Sequence, residues 1–115
     1  MNRLTSITLA LFLLAIESFA AEAAEVWHTA YLKRVYPTAD GSVRLSFVTD
    51  HATCTNADSP KVYYITVGQN GVTADGLRAM HSTALTAFAM ERQVSIAFDN
   101  ATANCYINRL IVLEQ

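Results

Sequence analysis

Only one stretch of this chain, Gly71 to Asp99, has a convincing helical period, and that period ends abruptly. Thr73 is placed to cap a helix, because its hydroxyl can accept from free amides of the first turn. Asp75 follows where the positive end of the helix dipole favours an anion. Leu77, Met80, Ala84 and Phe88 then recur at helical spacing with Leu85 beside them, predicting one apolar stripe. After Glu91 and Arg92 the period drops to two, with Val94, Ile96 and Phe98 alternating with Gln93, Ser95 and Ala97. A lone helix followed at once by a strand needs strands from elsewhere in the chain to complete its core.

Those strands are legible on both sides. Val26 to Tyr36 is rich in aromatic and β-branched residues. Both of its parities carry apolar side chains, Trp27, Tyr31 and Val35 on one and Ala30, Leu32 and Tyr36 on the other. That pattern predicts a bulge, or a strand shared between two parts of a curled sheet. Asp40-Gly41 marks a turn, and Val43, Leu45 and Phe47 alternate cleanly after it, completing a hairpin. A polar loop from Asp50 to Pro60 leads to a third strand over Val62 to Val67, and a fifth runs from about Asn104 to Leu113. The order is β-β-β-α-β-β. It fits a small, partly open five-stranded OB-like barrel or an open antiparallel sheet with the helix across one face. Apolar residues on both parities of the first and last strands favour the barrel.

Residues 1–23 read as a secretory signal. Arg3 gives a positive start, Leu4 to Ile16 is an apolar run too short to span a bilayer, and Ala21-Glu22-Ala23 matches a small-x-small cleavage pattern. Residues 24–115 then form a single domain, in a secreted or periplasmic setting. Two cysteines, Cys54 and Cys105, are expected to pair as a disulfide in an exported chain. The chain-entropy model gives a loop of this length about 4 kcal/mol of stabilisation. Beyond Ala23, seven Lys or Arg stand against eight Asp or Glu with no run of either sign. That balance excludes the basic stripe of a nucleic-acid binder and the polybasic patch of a membrane-surface protein.

The pattern resembles the small secreted OB-fold proteins of proteobacteria, including the receptor-binding B subunits of bacterial AB-type toxins. The resemblance is carried by Val43-Arg44-Leu45-Ser46-Phe47, by Ala87-Phe88-Ala89 at the helix end, by Val94-Ser95-Ile96 and by Asn104-Cys105-Tyr106-Ile107. It implies an OB-like barrel, glycan recognition and a ring of subunits with helices around a central pore.

Candidate chemistry is sparse. Asp50-His51 followed by Cys54 is the nearest approach to a nucleophile with a base, and the plainer reading is a hydrophilic loop around a disulfide cysteine. His28 and His81 have no partner at metal-ligand spacing, and His81, at the edge of the stripe, reads as a satisfied, semi-buried histidine. No enzyme, metal or cofactor is expected. Five tyrosines and one tryptophan suit a binding surface instead, since each ring offers apolar area with a polar handle. The usual contact face of an OB-like barrel points to Arg44, Tyr63 and Tyr64, with Tyr106, Asn108 and Arg109 as a second cluster. The plainer reading makes most of these rings core or rim packing.

On the helix, Ala79, Ser82, Thr83, Thr86 and Met90 form a small, uncharged face that suits equally close packing against another copy of the chain, with Ala79, Thr83 and Thr86 as its contacts, and a merely tolerant surface. The expected function is therefore a non-catalytic exported binding module for a glycan or polypeptide. The alternative is a structural or oligomer-forming envelope protein without a small ligand.

Overall fold

The computed structural model of the protein describes residues 24–114; the expected signal at residues 1–23 lies outside them. Five strands form one antiparallel sheet: β1 (Glu25–Pro37), β2 (Val43–Phe47), β3 (Tyr63–Ile65), β4 (Gln93–Asp99) and β5 (Ile107–Val112). The order across the sheet is β3-β2-β1-β4-β5, so the long first strand is central. One helix, α1 (Ala74–Ala89), packs on β1 and β5.

β1 does the work of two strands. Its first half pairs with β4, from Glu25↔Asp99 to Tyr31↔Gln93, and its second half pairs with β2, from Leu32↔Phe47 to Pro37↔Val43. The register with β2 shifts between Leu32 and Arg34. The extra residue flips the alternation, so His28, Ala30 and Leu32 are buried before the bulge and Val35 packs on the core after it. The apolar residues on both parities of this segment are thereby explained.

The ladder is open. Between the outer strands β3 and β5 the sheet carries no pairing; a single backbone bond, Tyr64 N–H to the Asn104 carbonyl at 3.2 Å, bridges the gap. β5 also begins later than the sequence suggests, because Cys105 has φ +47° and turns the chain away from the extended conformation.

The helix begins as expected, with the Thr73 hydroxyl accepting from Gly76 N–H at 3.0 Å. Its buried face is Leu77, Ala84 and Ala87, with Met80 packed against the core. Phe88, expected in the stripe, is exposed. Ala84 and Ala87 let the backbone lie close to the sheet, and that rotation leaves the neighbouring Phe88 on the flank. His81 is half-buried, as expected, but its Nε2 has no hydrogen-bond partner among the described residues.

Cys54 and Cys105 are bonded and buried, which confirms the expected pair. Asn56 repeats the same link in hydrogen bonds. Its Nδ2 donates to the Val62 carbonyl at 2.8 Å and the Ala103 carbonyl at 3.0 Å, while its Oδ1 accepts from Val62 N–H at 3.2 Å. The loop before β3 and the loop before β5 are thus joined twice. No helix among the described residues is long and apolar enough to cross a membrane.

Candidate functional site: a tyrosine and arginine row on the outer sheet face

Strand pairing beyond the bulge sets Tyr36, Arg44 and Tyr64 side by side on the outward face of β1, β2 and β3. The Arg44 guanidinium carbon lies 4.8 Å from the centre of the Tyr64 ring, a cation–π distance. Tyr106, just before β5, adds a third ring whose centroid is 6.3 Å from that of Tyr64, at 69° between planes. Asn104 Nδ2 donates to the Tyr106 hydroxyl at 2.7 Å. Behind them, Asn70 donates to the Tyr106 carbonyl at 2.8 Å and accepts from Asn108 Nδ2 at 3.3 Å. Asn70 holds its amide there from a left-handed conformation, φ +52°, at the turn into the helix.

Nε of Arg44 in this row and Oδ1 of Asn108 behind it are buried and have no hydrogen-bond partner among the described residues. One is a donor and the other an acceptor. Such atoms are usually satisfied, because leaving one unpaired costs about 1–3 kcal/mol. The row therefore combines three tyrosine rings and a cation.

The expected site residues separate. Arg44, Tyr64 and Tyr106 come together; Asn108 lies behind them, its Nδ2 bonded to Asn70, on the same side of β5 as the core-packed Leu110 and Val112. Tyr63 does not join them: it is fully buried, and its hydroxyl accepts from His51 N–H at 2.9 Å. Alternation along β3 requires this, since Tyr64 faces out and both its neighbours must face in. Arg109 is also elsewhere. A register shift at the β4–β5 pairing places it opposite Ala97, and its guanidinium lies 4.0 Å from Glu25. Tyr36 and Asn104 were not anticipated, and only the bulge and the turn at Cys105 bring them into the row.

The loop with Asp50, His51 and Cys54 is held structurally. Cys54 is in the disulfide, and Asp50 Oδ1 accepts from Lys61 N–H at 3.1 Å. His51 Nδ1 accepts from Thr53 N–H at 3.1 Å, and its ring stands edge-on to His28, centroids 5.6 Å apart. His28 Nε2 donates to the Thr49 carbonyl at 2.7 Å, and its ring stacks on Tyr63. Burial lowers the His28 pKa from its usual 6.5, against the Thr49 bond, which raises it. Among the described residues no group of three or more His, Cys, Asp or Glu side chains could hold a metal ion.

On the helix, Thr83 and Thr86 donate their hydroxyls to the carbonyls of Ala79 and Ser82, at 2.8 and 3.0 Å. That face is thus left low in relief, with its hydroxyl protons already used. No protein-family model matches the chain, and no curated protein matches it.

Proposed function

We propose that this protein is an exported, non-catalytic binding module on an OB-like barrel, recognising a glycan at the cell envelope or outside the cell. The observation that carries the reading is the outward row of Tyr36, Arg44, Tyr64 and Tyr106, with the Arg44 guanidinium over the Tyr64 ring. Sugars present apolar C–H faces that stack on aromatic rings, and hydroxyls that both donate and accept. An extended polypeptide is the second ligand class the row suits. The apolar amino-terminal run and the buried disulfide support export. The barrel is supported by the strand order, in which joining β3 to β5 closes the sheet, and by the Tyr64–Asn104 bond across that gap.

The test is a glycan array probed with the purified, disulfide-bonded protein alongside Arg44→Ala and Tyr64→Ala. Binding to a defined sugar that both variants lose supports the reading. Retention by both variants would place recognition elsewhere, and a peptide ligand bound through the same two residues would replace the sugar. The alternative, an oligomer-forming envelope protein without a small ligand, draws on the flat helix face at Ala79, Thr83 and Thr86.

A further inference from the structure

The loop that follows β2 is held at its start by side chains that take up protons. His28, buried on β1, donates from Nε2 to the Thr49 carbonyl at 2.7 Å. Further along, His51 N–H donates to the Tyr63 hydroxyl at 2.9 Å, and its ring Nδ1 accepts from Thr53 N–H at 3.1 Å. The His51 ring stands edge-on to those of His28 and Phe98, with centroids 5.6 and 5.3 Å away. His28 in turn stacks on Tyr63. Both imidazoles are thus set for the neutral form: one is buried among rings, and the other uses the nitrogen that a proton would occupy.

We infer that this pair is a proton-operated catch on the segment 49–53, closed while both imidazoles are neutral and released in mild acid with the sheet still folded. Geometry sets the order of events. A proton on His51 Nδ1 sets one N–H against another, that of Thr53. The Thr53 hydroxyl, 3.0 Å from the same nitrogen, can turn and accept; the backbone amide cannot. The ring must leave its place, and its departure uncovers His28, whose charge is opposed by burial. A second proton then follows the first. Imidazole is the side chain whose charge ordinarily changes between about pH 5 and 8. Around the pair, Asp50 favours a charged His28, and its Oδ1 accepts from Lys61 N–H. The Lys61 ammonium is bonded to the Asn56 carbonyl. β2 meets His28 with Phe47, β4 with Ile96 opposite it, and β3 with Tyr63, whose hydroxyl burial keeps protonated throughout this range. The open segment binds more protons than the closed one, so acid favours opening. The disulfide at Cys54 fixes the far end, and release stops there.

The experiment uses the exported, disulfide-bonded protein. Amide hydrogen exchange, expressed as protection factors so that intrinsic rates cancel, is followed from about pH 7.5 to about pH 5. The amides of His51 and Thr53 should lose protection by about a hundredfold per pH unit through the transition, about tenfold for each of two protons, while those of β1 and β4 change far less. His51→Asn places an amide oxygen where it accepts from Thr53 N–H without titrating, and should hold its protection across the range. His28→Gln keeps a donor for the Thr49 carbonyl and should reduce the slope to about tenfold. If His28→Gln fails to fold, the wild type and His51→Asn decide. Protection unchanged down to about pH 5 overturns the proposal. So does a loss that His51→Asn shares, a slope that His28→Gln leaves as steep, or an equal loss over β1 and β4, which is unfolding of the sheet.

Discussion

The two halves of β1 present the same kind of backbone to solvent and carry different chemistry. Before the bulge the outward residues are Trp27, Thr29 and Tyr31, backed by β4 and β5. After it, Tyr36 lies beside Arg44 and Tyr64 on β2 and β3. One half sets Trp27 and Tyr31 among Thr29, Ser95 and Gln93, with Arg109 in the row of Trp27; the other sets tyrosine rings around a cation. A single inserted residue near Lys33 separates them, because a one-residue shift exchanges every inward side chain for its outward neighbour. One strand thereby takes part in two outward surfaces of different composition.

The largest effect expected is on the tie between the halves. Replacing Cys54 and Cys105 together by Ser should cost about 2–5 kcal/mol in urea denaturation. Hydrogen exchange then sharpens the comparison. If amides of β1, β4 and β5 stay protected while those of β2 and β3 open, the halves are separable units; uniform loss makes them one. Asn56→Ala should follow with a loss of about 1–3 kcal/mol, because Val62 and Ala103 lose their partners in the same bracket. A negligible loss would leave the disulfide as the sole tie.

The third effect is pH dependence at the seam, where His28 packs against Phe47 and Tyr63. Its pKa is lower folded than unfolded, so below the ordinary value of 6.5 the unfolded chain takes up the proton first. This contribution to stability is complete above that pH and is lost as pH falls through the lowered folded value. Denaturation midpoints between pH 7.5 and 5.5 should decline in the wild type and much less in His28→Gln. An equal decline would assign the effect to other groups. Asp40 acts only at lower pH: hydrogen bonds from Thr38 and Ser42 hold its carboxyl well below the usual carboxylate range.

The smallest effect tests the helix as an interface. Thr83→Arg should alter the stability of the fold by about 0.5 kcal/mol or less, because its side chain lies on the helix's outer face. Light scattering that shows an assembly dissociated by Thr83→Arg, with the fold preserved, would place an interface at Ala79, Thr83 and Thr86.

Local periodicity sufficed for the order of elements, the capping Thr73, the turn at Asp40-Gly41 and the bulge implied by two apolar parities in one strand. These depend on neighbours within a few residues, which the chain itself supplies. The Cys54–Cys105 pair was equally legible, since two cysteines have only one intramolecular partner each. Where side chains finally sit depended on contacts between distant segments. Ala87 displaced Phe88 from the core because the sheet approaches the small side chains, which no helical repeat records. Tyr63 and Tyr64 could not be ranked as buried and exposed until β3 was set against β2. Tyr106 and Arg109, three residues apart, were parted by a turn at Cys105 and a register shift against β4. The site row joins residues from three strands and a loop, so the sequence determined its residue types, and only the pairing of strands decided which of them meet.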